Sequence, residues 1–503
     1  MARCLMVQGT ASGVGKSLLA TALCRMLMQD GYRVAPFKAW NMSLNAFVTP
    51  DGAEIGRAQG TQAAAAGVPA ESDFNPILVK PKGGMTSQVV LNGRTYGDFT
   101  GFAAPDLVGL AHETARKSLE RLNDRYDWIV IEGAGSPAEP NLRDRDMANM
   151  AVADLADAPV ILVADMDRGG AFAALLGTLE LLEPRHRERV AGLVLNRYHG
   201  PKEILLPGIR EIEARTGKPI LGVLPYLADL YWDEEDSVGL TAGETEQREL
   251  TLAVVRLPHL ANFTDATPLA AEPDVSIRYV DRPEQLADVD LVILPGSKNT
   301  VADLAWLKHT GLAGAIAAHS RAKGATVGLC GGYQMMGVRL DDPDGLEDAP
   351  GSYEGLGVLP VVTRFAPGKR TTLTAVEGLT LMVGAWSKGL QLQGYEIHSG
   401  VTELLPGARA AFRVVCRGGA PADDTDGCQE KGGWTFGTYL HGLFENDEFR
   451  RRFLNGLRAR RGLQPLPPST PAAVLRERTF NRLAQAVREH IDLKALLQAH
   501  QSL

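Results

Sequence analysis

Short, almost wholly apolar runs alternate with longer helical stretches through the first half of this 503-residue chain, and that alternation restricts the fold more than any single motif. Cys4–Val7, Arg33–Phe37, Trp128–Ile131, Val160–Ala164, Val190–Leu195 and Ile220–Leu224 are apolar at nearly every position, as strands covered on both faces must be. Segments of helical character lie between them, Ser17–Gln29 and Asp106–Asn123 among them. The pattern predicts right-handed βαβ units and a mostly parallel sheet. A second series follows at Thr251–Leu257, Val275–Val280, Asp290–Leu294 and Ala325–Leu329. Past about Tyr353 the chain becomes β-rich, through Gln391–Ile397, Ala411–Cys416 and Trp434–Thr438. Two amphipathic helices close it: one sets Phe449, Phe453 and Leu457 four residues apart, and the other runs from about Ala472 to Gln498. The expected architecture is α/β: two doubly wound, mostly parallel sheet domains over 1–240 and 250–445, with a C-terminal helical tail over 446–503. The acidic stretch 229–249 reads as the linker.

Composition removes several classes of function. Fifty-two Lys+Arg against sixty Asp+Glu give a net charge of −8, which argues against a nucleic-acid or acidic-membrane binder. The cluster Arg450-Arg451-Arg452 with Arg458, Arg460 and Arg461 reads as a solvated helix face. No apolar run approaches the ~18 residues that span a bilayer. Met1–Gln8 has no signal-peptide character, so the expected location is cytoplasmic. Cys4, Cys24, Cys330, Cys416 and Cys428 show no paired spacing and are expected to be reduced thiols.

Two strand–turn–helix junctions carry chemistry. The first is Gly9-Thr10-Ala11-Ser12-Gly13-Val14-Gly15-Lys16-Ser17, which leaves the first strand and opens the first helix. Backbone N–H donors in a tight loop, a helix N-terminus and a lysine make a phosphate cradle, with Ser17 placed to ligate Mg²⁺. The expected contributors are Thr10, Ser12, Gly13, Val14, Gly15, Lys16 and Ser17, although Thr10 stands where the strict pattern has glycine. A metal there needs carboxylates. Glu132 ends an otherwise apolar strand, where an acid must find a cation or hydrogen bonds. Asp51 and Glu54 lie in a polar loop after the second strand, and Asp165 and Asp167 end another. Asn196, at the end of the Val190–Leu195 strand, is a candidate for a purine edge.

The second junction is Gly328-Leu329-Cys330-Gly331-Gly332, the geometry of a nucleophile elbow. The helix N-terminus favours a thiolate, and the N–H of Gly331 can face an oxyanion. A second donor is expected from the Leu294–Ser297 loop at Gly296. His441, flanked by Gly442 at a late strand end, is the expected proton carrier, since such pairs are commonly distant in sequence. Glu445 is a weak candidate to orient the imidazole, and the third member of the triad is left open.

The GTxxxVGKS form of the first loop is similar to that of the dethiobiotin synthetase group. Further runs are Pro36-Phe37-Lys38, Asn41–Asn45, Asp51–Gln59, Ser87-Gln88-Val89, Asn141–Asp146, Asp165–Gly170 and Gly394–His398. With them the chain resembles, over nearly its whole length, the cobyric acid synthase family of glutamine-dependent amidotransferases of cobalamin biosynthesis. The resemblance implies a P-loop NTPase-like domain followed by a class I glutamine amidotransferase-like domain. It implies ATP and Mg²⁺, with Ser17, Glu54 and Glu132 as metal ligands. The small-molecule partners it implies are L-glutamine, ATP and a corrinoid a,c-diamide, amidated at its b, d, e and g carboxylates. Lys38, Asn41, Asp51, Ser87, Gln88, Asp144 and Asp146 are then expected substrate contacts, and Glu396 and His398 candidates for the corrinoid or glutamine pocket.

Overall fold

Burial on both faces explains why the strands of the first half are apolar throughout. In β1 (Arg3–Gly9), Cys4 and Met6 enter one core, while Leu5 and Val7 enter another on the opposite face. The computed structural model describes residues 1–101, 105–233, 248–379, 389–492 and 494. Around β1 stand β2 (Val34–Phe37), β3 (Trp128–Glu132), β4 (Val160–Asp165), β5 (Val190–Tyr198) and β6 (Ile220–Pro225). All six are parallel, in the order β6-β5-β4-β1-β3-β2. The chain leaves β1 for β2 on one side, returns to β3, and then crosses β1 to reach β4. The topological switch therefore lies at the C-terminal ends of β1 and β3, where doubly wound sheets bind ligands. Helix α1 (Lys16–Gln29) starts there.

Between β2 and β3 the chain builds a feature that the sequence pattern did not reveal. Trp40–Met42, Ile77–Gly83, Thr86–Leu91 and Arg94–Thr100 form a four-stranded side sheet, and Ala46–Val48 pairs with Glu54–Gly56 as a hairpin. Helix α2 (Arg57–Ala65) follows the hairpin directly. Several of these strands are only three residues long, too short for a clear period.

The second half repeats the logic. Strands β7 (Leu250–Val255), β8 (Val275–Val280), β9 (Leu291–Leu294), β10 (Ala325–Leu329), β11 (Cys428–Gln429) and β12 (Thr435–Thr438) form a sheet ordered β8-β7-β9-β10-β12-β11. It is parallel except at the β11 edge. The β-rich stretch is a separate sheet around the long pair Val361–Gly378 and Gln391–Leu404.

The two closing helices dock on different bodies. In α4 (Asp447–Arg460) the aromatic stripe is buried: Phe449 and Phe453 pack with Phe412, Phe436 and Phe444. Three of the six clustered arginines correct the sequence reading, while Arg452, Arg460 and Arg461 are exposed as it expects. Arg450, Arg451 and Arg458 are 2–3% exposed, tied to Glu272 and Asp274 beneath the helix, so this face anchors α4 and is not a solvated surface. Helix α5 (Ala472–His490) instead returns to the first body, where Phe480, Leu483 and Val487 join the core under α1. Residues 493 and 495–498 of the expected helix, and 234–247 of the expected linker, lie outside the described residues. Among the described residues no helix is long and apolar enough to cross a membrane.

Candidate active site

The loop after β1 closes around its own lysine. Lys16 Nζ donates to Ala11 O at 2.9 Å and to Gly135 O at 3.0 Å, joining the loops that leave β1 and β3. Gly15 has φ 100°, and a Cβ there would stand 2.1 Å from Asn196 Nδ2, so only glycine fits. Asn196 donates to Val14 O at 2.9 Å from below. It shapes the loop from its own side chain, and this is the contact the structure gives the residue expected at a purine edge. Thr10 N donates to Val163 O, continuing the strand ladder, and Val14 is buried in the core. Ser12, Gly13, Gly15, Lys16 and Ser17 line a cavity of about 1130 Å³.

Glu132 is the buried acid that the strand pattern singled out. Its Oε1 accepts from Ser17 Oγ and from Lys38 Nζ, each at 2.9 Å, and its Oε2 from Gln62 Nε2 at 2.5 Å. Two cis ligands of octahedral Mg²⁺ at about 2.1 Å lie about 3 Å apart, so the Ser17–Glu132 oxygen pair fits that ion. Glu54 does not join them. Both of its oxygens are taken by buried lysines, Oε1 by Lys80 at 2.6 Å and Oε2 by Lys369 of the second body. This corrects its expected role as a metal ligand: its counter-charge is already supplied by two ammonium groups.

At the second junction Cys330 follows β10 with φ 51° and ψ −108°, and α3 (Gly331–Met336) begins immediately after it. A non-glycine residue in that region carries about 1–3 kcal/mol of strain, which packing must hold in place. The flanking glycines make this feasible, because a Cβ on Gly332 would meet Leu294 O at 2.0 Å. The Gly331 position faces the Ser297 amide, 2.8 Å from an ideal Cβ, so the two expected donor segments converge. Gly296 lies against the imidazole, where a Cβ would be 3.3 Å from His441 Cε1. The Cys330 thiol donates to Ile397 O at 3.3 Å.

His441 is fully buried and stacks on Tyr395 with ring centroids 5.2 Å apart. Its Nδ1 donates to Asp265 Oδ2 at 2.7 Å, and Gly442 N donates to Asp265 Oδ1, also at 2.7 Å. Burial would lower the imidazole pKa, but the Asp265 carboxylate overrides it and, with Cys330 adding to the rise, lifts His441 to about 10. An imidazolium beside the sulfur is the arrangement that activates a cysteine nucleophile. Asp265 takes the third place in a Cys–His–Asp arrangement, the place that sequence reading left open. The available signal was an acid in Asn262-Phe263-Thr264-Asp265, just past β7 at the active end of the sheet. Glu445 is placed elsewhere, bound by Arg57 and Arg476.

The first body grips the turn that carries Asp265. Ala46 N donates to Asn262 Oδ1 at 3.0 Å, and Phe263 N donates to Asn45 Oδ1 at 3.1 Å. Gln88 Oε1 accepts from Lys298 Nζ at 3.2 Å beside the Cys330 cavity.

Residues 5–238 match the family described as the CobQ/CobB/MinD/ParA nucleotide binding domain, and residues 251–449 the CobB/CobQ-like glutamine amidotransferase domain. Over 509 aligned residues, covering all of this chain and 99% of each relative, it is 48% identical to a cobyric acid synthase of Salmonella arizonae. The figure is 47% for that of Salmonella typhimurium and 48% for that of Klebsiella pneumoniae. The chain belongs to the cobyric acid synthase family.

Within this family member the remaining expected contacts divide between two places. Lys38, Asn41, Asp144 and Asp146 line the large cavity with the phosphate loop. Asp146 is largely structural, its carboxylate accepting from Ala148 N, Asn149 N and Ala151 N. Asp51, Ser87 and Gln88 are not at that cavity. Asp51 accepts from Thr49 in the hairpin turn, and Ser87 and Gln88 sit on the side sheet, which runs toward the second body. The three expected substrate contacts are thus set apart from the phosphate loop, and Gln88 instead reaches the wall of the Cys330 cavity through Lys298. His398 lines the Cys330 cavity and stacks on Tyr439. Glu396 lies behind it, held by Arg417 and Thr374, and serves as a buried anchor outside the cavity.

Proposed function

We propose that the chain hydrolyses L-glutamine at Cys330 and uses the ammonia to amidate the b, d, e and g side-chain carboxylates of adenosylcobyrinic acid a,c-diamide, giving adenosylcobyric acid. The observation that carries this reading is the coexistence, in one chain of this family, of a Cys330–His441–Asp265 constellation and a Lys16–Ser17–Glu132 constellation.

The chemistry requires both. A carboxylate is a poor acyl donor, because its leaving group would be an oxide. Transfer of the γ-phosphoryl group of ATP to it gives an acyl phosphate, from which ammonia displaces phosphate. The loop N–H groups and Lys16 neutralise charge on the phosphoryl being moved. Magnesium, held by Ser17 and Glu132, supplies further charge neutralisation when bound. Lys38, beside Glu132, is placed to orient the acceptor carboxylate.

Ammonia is mostly protonated at neutral pH, so the unprotonated form is generated inside the protein. Cys330 Sγ attacks the carboxamide carbon of glutamine, and the Gly331 and Ser297 amides receive the oxyanion. His441 delivers a proton to the departing ammonia, and its imidazole then draws a proton from the water that opens the thioester, releasing glutamate. Asp265 holds the ring so that Nε2 faces the sulfur. Mass spectrometry of the a,c-diamide incubated with ATP, Mg²⁺ and glutamine tests the proposal: successive acid-to-amide shifts are expected at each of the b, d, e and g positions. An unchanged corrinoid would defeat it.

A further inference from the structure

The cavity that holds the Cys330 thiol also exposes three lysines, Lys80, Lys298 and Lys369. Two of them are already neutralised, since Glu54 binds Lys80 through one oxygen and Lys369 through the other. Lys298 differs. Its ammonium donates to the neutral amide oxygen of Gln88 and, among the described residues, to no carboxylate. The same wall carries one carboxylate, Glu347. Its Oε2 accepts from Thr300 N at 2.8 Å, and among the described residues its other oxygen has no partner. Among the described residues no ion pair joins Lys298 to Glu347, although both face the same cavity.

A cavity with a nucleophilic thiol, one unshared cation and one unshared anion has the polarity of a free amino acid bearing a side-chain electrophile. We propose that Lys298 takes the α-carboxylate of glutamine and Glu347 its α-ammonium, together fixing the carboxamide against Cys330. The proposal rests on the reading of Cys330 as the glutaminase nucleophile. Burial, reinforced by Lys369 and Lys80, pushes the Lys298 ammonium down, and burial pushes the Glu347 carboxyl up. Among the described residues each group thus lacks a full counter-charge, and a zwitterion supplies both at once. Charge-assisted hydrogen bonds of this kind are the strong ones, and each is charge-selective. The assignment also gives Gln88 a role: a residue of the first body sets the position of the cation that admits glutamine to the second.

Two variants and two altered substrates test this. Glu347→Gln and Lys298→Met should each raise the KM for glutamine about 10- to 100-fold, in line with loss of one hydrogen bond to a charged group, with a smaller change in kcat. On the unaltered protein, N-acetyl-L-glutamine and the α-amide of L-glutamine should be hydrolysed with kcat/KM reduced to a similar degree. Glu347→Gln should narrow the gap for the acetylated compound alone. Labelling of Cys330 distinguishes the outcomes. A zwitterionic diazo-ketone analogue of glutamine should label both variants slowly, while neutral iodoacetamide labels them at the unaltered rate. Equal slowing with both reagents, or full activity of the unaltered protein on the two blocked substrates, would overturn the proposal. Glutamine hydrolysis persisting in Cys330→Ala would overturn the underlying reading instead.

Discussion

Asp265 Oδ2 and His441 Nδ1 stand 2.7 Å apart although 176 positions separate them in the chain. The same carboxylate binds the next backbone amide, Gly442 N, so the ring is fixed in both tilt and tautomer. Asp265→Asn keeps the shape and removes the charge. The glutaminase kcat should fall on the order of 10²–10⁴-fold, the range general acid–base groups contribute. The pH profile should also change. Protonation of the leaving ammonia needs the imidazolium, which persists to about pH 10 in the intact triad. The alkaline limb of glutamine hydrolysis should therefore move down toward the ordinary imidazole value in the variant, and an unmoved limb would remove Asp265 from the triad. The linkage runs the same way. Because the folded pKa is raised, this ion pair stabilises fully below the ordinary value of 6.5 and is lost as pH rises through about 10.

The two constellations should be separable. Cys330→Ala is expected to abolish glutamine-driven amidation and to retain synthesis from high concentrations of free ammonia. Lys16→Ala is expected to do the reverse, releasing ammonia from glutamine without making amide. Parallel assays of glutamate release and corrinoid amide count read both. Synthesis surviving undiminished in Lys16→Ala would remove the phosphate loop from the reaction.

Glu54 lies between the bodies, its carboxylate shared by Lys80 and Lys369. Burial pushes its pKa up, but the two ammonium groups override this and hold it well below the ordinary carboxylate range. Since the folded value is depressed, the contribution is complete above the ordinary value and is lost as pH falls through the lowered one. Glu54→Gln leaves two buried ammonium groups without their counter-charge and should cost about 3–5 kcal/mol, read as a drop in the denaturant midpoint. A variant of unchanged stability with a weakened Mg²⁺ dependence would return Glu54 to the metal.

Asn45 belongs to the first body, yet its side chain caps Phe263 N in the Asp265 turn. Asn45→Ala removes one hydrogen bond, worth about 0.5–1.5 kcal/mol. Glutamine hydrolysis should slow by about 3- to 10-fold, whereas ammonia-driven synthesis should be affected less. Equal effects on both assays would mean that the contact serves stability only.

Much of this arrangement was legible in the chain itself. Strands such as Val160–Asp165 announce themselves because both faces are buried, leaving no polar residue before the terminal acid. Cys330 and Lys16 were legible for a related reason, since a sharp strand-to-helix turn demands small residues at fixed offsets. Asp265 was not, because an orienting carboxylate needs only proximity in space. Glu54 misled, because a polar loop after a strand looks alike whether its acid meets a metal or two lysines. Nor could Arg450, Arg451 and Arg458 be placed by charge, as their partners Glu272 and Asp274 lie on a connection far upstream. The side sheet from Trp40 to Thr100 escaped because its first strand has only three residues and its last, Arg94–Thr100, is largely exposed and polar, so neither shows an apolar period.

Helix α5 travels from the second body back to the first and covers α1, with Arg25–Glu477 and Arg488–Asp30 at its edges. Its last described turn adds a bridge from Ile491 to Gly222 on the outer strand of the first sheet. The polypeptide is thus buckled shut, its final stretch serving as the lining for the helix that begins at Lys16. A nonsense codon between α4 and α5 would spare every reacting atom and the second core, and still strip the oily flank of α1, so the first damage from such a shortening should surface in nucleotide affinity at the other end of the chain.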